Sequence, residues 1–156
     1  MIKIGIAVPD LGNNQLAFSL IHKANALMER EFNVDLIAFY CNLVNPILNM
    51  SFSSMQLVEA YGYSGLLVAT TLNTASNIIA FPGPKKKFFY VWDLEWMRHK
   101  TPSFSSLKDI YRNPELNLIA RSGEHKRAIE ESWNRSVVGI VDDFDMNQLL
   151  EVTKCQ

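Results

Sequence analysis

A three-layer α/β fold with a mostly parallel sheet of about six strands is predicted by two features of this sequence. Short, uninterrupted apolar runs recur along the chain, and between them lie segments whose apolar residues repeat at three- and four-residue spacing. A strand covered by helices on both faces has no polar side, so it reads as a continuous apolar run. The 156 residues are 48% apolar and 20% charged, a globular composition too hydrophobic for disorder. A single domain over residues 1–156 is expected.

The first run, residues 4–8, ends in the turn cluster Pro9-Asp10-Leu11-Gly12. Asn13 or Asn14 can cap the helix that follows, in which Leu16, Ala17, Leu20, Ile21, Ala24, Leu27 and Met28 form the inward stripe. Residues 34–39 complete a strand, helix, strand unit, which implies a right-handed parallel crossover. A third strand at 66–69 closes at Thr70-Thr71 before a short helix through Ile78 and Ile79. A fourth at 88–92 closes at Asp93, and a helix near 105–111 leads to a fifth strand at 116–120. Ser122 caps the next helix, with Ala128, Ile129 and Trp133 inward, before a last strand at 137–141 and a helix over 145–152. The pattern is Rossmann-like.

Formal net charge is -1, which gives no bulk attraction to nucleic acid or to an anionic membrane. The opening MIKIGIAVPD is a first strand and not a signal peptide, and Cys41 and Cys155 form no disulfide framework, so a cytoplasmic protein with reduced thiols is expected. From 36 to 84 the single charged side chain is Glu59. That stretch contains an irregular segment, 40–54, with Leu43, Val44, Ile47, Leu48, Met50 and Phe52. Its Pro, Asn, Ser and Thr content argues against a membrane span. Two readings stand: an interface for a protein partner or a second copy, or a loop folded back on the core.

In open α/β sheets ligands bind beyond the carboxyl ends of the strands. Gly12, Asn13 and Asn14 follow the first strand there, and Thr70 and Thr71 the third. The densest segment is 88–98, FFYVWDLEWMR, where Trp92 and Trp96 flank Asp93 and Glu95 and Arg98 closes the run. Carboxylates beside indoles can hold raised pKa values and act as general acid or base, and an indole is a stacking surface for a sugar or base. Asp93 and Glu95 are therefore the candidate catalytic pair. In the competing reading the tryptophans anchor the core and Asp93 caps a turn.

Arg121-Ser122-Gly123-Glu124-His125 opens a helix, so Arg121, Ser122 and His125 could meet a phosphate or sugar-phosphate beside the helix dipole. A capped helix with solvated side chains is the alternative. Residues 85–135 hold eleven Lys or Arg against seven Asp or Glu, a bias compatible with a phosphate-bearing ligand or a solvated surface. Lys85-Lys86-Lys87 reads as a solvated turn before a buried strand. Gly12 alone falls short of G-x-G-x-x-G. Three histidines and two separated cysteines give no zinc spacing, and no metal or other cofactor is expected; Asp93 with Asp142 and Asp143 is a remote divalent-ion alternative.

The segment LNLIARSGEHKRAIEESWNRSVVGIVDDFD, residues 116–145, resembles the last strand, helix and strand of the N-terminal domain of two-domain, GT-B-type glycosyltransferases. The start IGIAVPDLGNN, its amphipathic helix and VDLIAF are similar to how those domains begin. The resemblance implies an acceptor-side domain, with Gly12 and Asn13 in the loop facing the interdomain cleft and Arg121 and Ser122 at its far wall. It also implies that nucleotide-sugar contacts come mostly from a second domain, which for these residues means a partner subunit. The chain departs from the family in lacking paired glycines in the first turn and a donor-binding glutamate pair. YVWDLEW resembles short uncharacterised proteins of tailed marine phages, which implies host cytoplasm and no particular activity. The expected function is thus binding of a sugar, nucleotide or acceptor at the carboxyl edge; the alternative is a non-catalytic interaction module using the charge-poor 36–84 surface.

Overall fold

Side chains that alternate along parallel strands feed two separate cores, one on each face of a central sheet. The computed structural model describes residues 1–98 and 103–155; His99, one of the three histidines, lies outside them. In chain order the elements are β1 (Ile2–Val8), α1 (Gln15–Met28), β2 (Val34–Tyr40), β3 (Ser53–Gln56), β4 (Leu66–Ala69), α2 (Leu72–Ile79) and β5 (Lys86–Val91). Then come α3 (Phe104–Tyr111), β6 (Leu116–Ala120), α4 (Gly123–Trp133), β7 (Gly139–Ile140) and α5 (Met146–Lys154). Two 3₁₀ helices, Leu57–Gly62 and Glu95–Met97, follow β3 and β5.

All strand pairs are parallel, in the order β3-β2-β1-β4-β5-β6-β7. The fold is the Rossmann-like three-layer arrangement, with seven strands among the described residues where six apolar runs were expected. The additional strand is β3, an edge strand whose sequence SSMQ lacks any apolar run because its side chains are largely exposed and neither core covers them. It occupies the end of the segment expected to be irregular. The last strand is shorter than expected: β7 keeps two residues, although Val138 and Val141 still donate backbone hydrogen bonds to Leu118 and Ala120.

Ile4, Ile6 and Val8 of β1 join Leu20, Ile21 and Leu27 of α1 and Leu149 of α5 in the first core. Ala7, Phe39, Phe89 and Val91 join the inward residues of α2, α3 and α4 in the second. Gly5 is small for a stated reason: a Cβ there would lie 2.6 Å from Cε2 of Phe39, which crosses β1 on the second face. Among the described residues no helix is long and apolar enough to cross a membrane.

The loop 41–52 folds back on the core over most of its length. Ile47, Leu48, Met50 and Phe52 pack against the first core, while Leu43 and Val44 remain exposed. Asn25 of α1 pins it, donating to Asn49 O at 2.7 Å and accepting from the Ser51 N–H at 2.8 Å.

Candidate functional site at the carboxyl edge

The strand order reverses between β1 and β4, the point where an open α/β sheet offers a crevice. Asp10 organises the turn after β1: its Oδ1 accepts from the Gly12 N–H at 2.9 Å and from Asn14 Nδ2 at 2.8 Å. Asn14 then caps α1 by accepting from the Ala17 N–H. Val44 of the 41–52 loop lies over Gly12, so a Cβ on that glycine would stand 2.7 Å from Val44 Cγ2. On the other side of the crevice the Thr70 hydroxyl donates to Ala7 O at 2.7 Å. Gly12 and Thr70 are thereby withdrawn from the surface, while Asn13 and Asn14 stay exposed. Beside this turn the Cys41 thiol is pushed up in pKa by burial and, secondarily, by Asp10, which keeps it protonated.

Beyond β5 and β6 the arrangement is more open. Alternation along β5 sends Tyr90 and Trp92 to the first core. The Arg121 guanidinium, at the end of β6, lies over the Trp92 ring at 3.7 Å from its centroid, and its Nη1 donates to Trp92 O at 3.1 Å. The same indole packs below on Phe144 at 5.0 Å, and Tyr90 meets Phe144 edge-on at 4.9 Å. Tyr90 Oη donates to Val141 O at 2.6 Å and accepts from the Phe144 N–H at 3.3 Å. Burial pushes the Tyr90 pKa up to about 12, against opposing contributions from the Phe144 N–H and Arg121. Phe144 and Asp143 both have left-handed backbones, φ 56° and 43°, in a turn closed by the Asp145 N–H on Asp142 O at 2.8 Å.

Trp96 does not share the Trp92 environment. After the bend at Asp93 it enters the second core, edge-on to Tyr111 at 5.0 Å and to Trp133 at 5.7 Å. Asp93 forms an ion pair with Arg98 at the surface. Glu95 reaches α2: its Oε1 accepts from the Leu72 N–H at 2.9 Å, where the helix has an unsatisfied donor. Thr71 caps the same helix through a reciprocal Thr71–Thr74 box. Thr71, Glu95 and α2 are thus one unit.

Burial pushes the Glu95 carboxyl up in pKa, and the Leu72 N–H offsets part of the shift. An acid whose folded pKa is raised contributes stability below its unfolded pKa and loses that contribution as pH rises through the folded one. Stability is therefore expected to fall as pH climbs past about 4.5. Glu95→Gln keeps the acceptor for Leu72 and removes the titration, so urea midpoints of the variant should stay flatter than wild type between pH 4 and 8. Superimposable profiles would refute this account of Glu95.

The wall after β6 is built by α4. Ser122 Oγ accepts from the His125 N–H at 3.2 Å, and a Cβ on Gly123 would meet no atom within 4 Å, so the helix start faces open space. His125 Nδ1 is buried without a hydrogen-bond partner. Of the sequence-predicted residues, the fold therefore brings Trp92, Arg121, Ser122 and His125 to one wall. It ties Thr70, Thr71 and Glu95 into the support of β1 and α2, and it places Trp96 on the other face. Sequence reasoning missed Tyr90 and Phe144; the turn-forming run DDFD was the available signal for the latter.

Among the described residues no three His, Cys, Asp or Glu side chains converge as a metal site. Open depressions of about 380 and 460 Å³ lie at the opposite, amino edge; the first is bordered by Lys3, Gly65, Lys85, Lys86 and Lys154. Lys87 serves the fold, donating to Ile79 O at the end of α2 at 2.6 Å and pairing with Glu115 at 3.5 Å. Compared with protein-family models, curated proteins and solved structures, the chain matches none.

Proposed function

We propose that the edge after β5 and β6 binds the phosphate-bearing part of a nucleotide-sugar or glycosyl acceptor, and that the domain acts as one wall of a glycosyltransferase-like cleft completed by a partner subunit. The observation that carries this reading is the Arg121 guanidinium held over the Trp92 ring beside the open start of α4. A guanidinium held by an indole keeps an edge of N–H donors in fixed orientation for phosphate oxygens, and the α4 dipole favours the same charge. Asn13 and Asn14, across the edge, are suited to hydrogen-bond sugar hydroxyls.

Within this proposal Asp93 is the base. When an anionic ligand draws Arg98 away, the freed carboxylate takes the proton of an acceptor hydroxyl as that oxygen attacks the anomeric carbon and the nucleotide phosphate departs. Glu95 holds the Asp93 loop against α2. Titration calorimetry of the protein with a panel of nucleotide-sugars and of the corresponding sugar-phosphates is the test. Saturable heat is expected for at least one phosphate-bearing ligand and none for the uncharged sugars. Absence of heat across the panel, with and without co-purified partners, would end the proposal.

A further inference from the structure

We infer that β3 is a self-pairing edge, through which two copies of the chain join antiparallel about a two-fold axis so that one continuous sheet runs through both. β3 ends the strand order and hydrogen-bonds to β2 on one side, leaving a row of backbone N–H and C=O groups on the other. Proteins guard such rows with charge or proline, and Ser53–Gln56, SSMQ, carries neither. The exposed surface beside it is apolar. Met55 is 44% exposed, and Val58, in the 3₁₀ helix that follows, is 66% exposed; Tyr61 turns instead to Phe81 after α2, edge-on at 5.8 Å. Leu43 of the neighbouring loop is 76% exposed.

Charge favours a second copy over a different partner. In a two-fold contact each side chain near the axis meets its own copy, so any charge there meets a like charge. From 36 to 84 the exposed Glu59 is the single charged residue, which confines that penalty to one side chain and leaves a charged partner almost nothing to grip. The other edge differs: β7 has two residues and is followed by Asp142, Asp143 and Asp145.

Sedimentation of the full chain up to about 100 µM, with hydrogen exchange of the 53–56 amides, tests this inference. A concentration-dependent dimer with slowed exchange at those amides is expected. Met55→Asp and Val58→Asp, both at exposed positions, should each raise the dissociation constant at least about 100-fold and restore fast exchange while the thermal melt is preserved. Ile140→Asp on the opposite edge should leave the dimer unchanged. A single-chain mass at the highest concentration, or a dimer that survives both the Met55 and the Val58 variant or is dissolved by Ile140→Asp, would overturn it.

Discussion

Replacing Phe144 by alanine should lower stability by about 3–5 kcal/mol, as for other buried phenylalanines, and replacing it by glycine should cost less although glycine is smaller. The ring is fully buried between Trp92 and Tyr90, so either change empties the same space. The backbone decides between them. At φ 56° an L-residue bears about 1–2 kcal/mol that glycine avoids, so the usual ranking of alanine above glycine inverts. For a chain of this length each kcal/mol moves the melting temperature about 2–4 °C, and alanine should therefore melt roughly 6–20 °C below wild type. Alanine melting above glycine would refute the backbone argument. Tyr90→Phe probes the same turn by removing the hydroxyl that serves Val141 and Phe144, at about 1–3 kcal/mol. Because the folded phenol keeps its proton up to about 12, wild type should also lose stability as pH rises from about 10 through 12, and the variant should lose less.

Arg121→Ala should weaken binding of whichever phosphate-bearing ligand saturates the edge by about 10- to 100-fold. A charged hydrogen bond contributes roughly 1.5–3 kcal/mol, and 1.4 kcal/mol is tenfold in affinity. The cost to the fold should be small, because a partly exposed guanidinium over an indole contributes about 0.5–1 kcal/mol and its hydrogen bond to Trp92 O about 1 kcal/mol more. Arg121→Lys is the sharper variant. Lysine restores the charge but cannot lie flat on Trp92 or present two parallel donors, so it should recover only part of the lost affinity. Calorimetry on the three proteins decides, and affinity unchanged in the alanine variant would remove Arg121 from the site.

Much of the scaffold was legible because its signals are local. Asn14 and Ser122 cap helices through side chains that reach three residues ahead, and α1 shows its buried stripe in spacing alone. β3 was not legible, since a polar strand paired on one edge carries no apolar pattern. At the candidate site, residues next to strand ends were located correctly as a group, because the end of a strand fixes where its turn falls. Their partners were hidden. Trp92 and Trp96 are four residues apart yet enter opposite cores, because a bend and a short 3₁₀ helix intervene. Glu95 finds Leu72 and Tyr90 finds Val141 across 23 and 51 residues, separations at which no periodicity speaks.

The two tryptophans have a mechanical consequence. The stretch from Trp92 to Trp96 is riveted at one end into the layer of α1 and α5 and at the other into the layer of α2, α3 and α4. Neither rivet can shift without disturbing packing on its own side of the sheet, so Asp93 sits on a short bridge with little freedom to swing. A ligand docking on this bridge meets a surface already in place, and the roughly 1–2 kcal/mol per residue that a slack loop would forfeit on ordering is not drawn from its affinity.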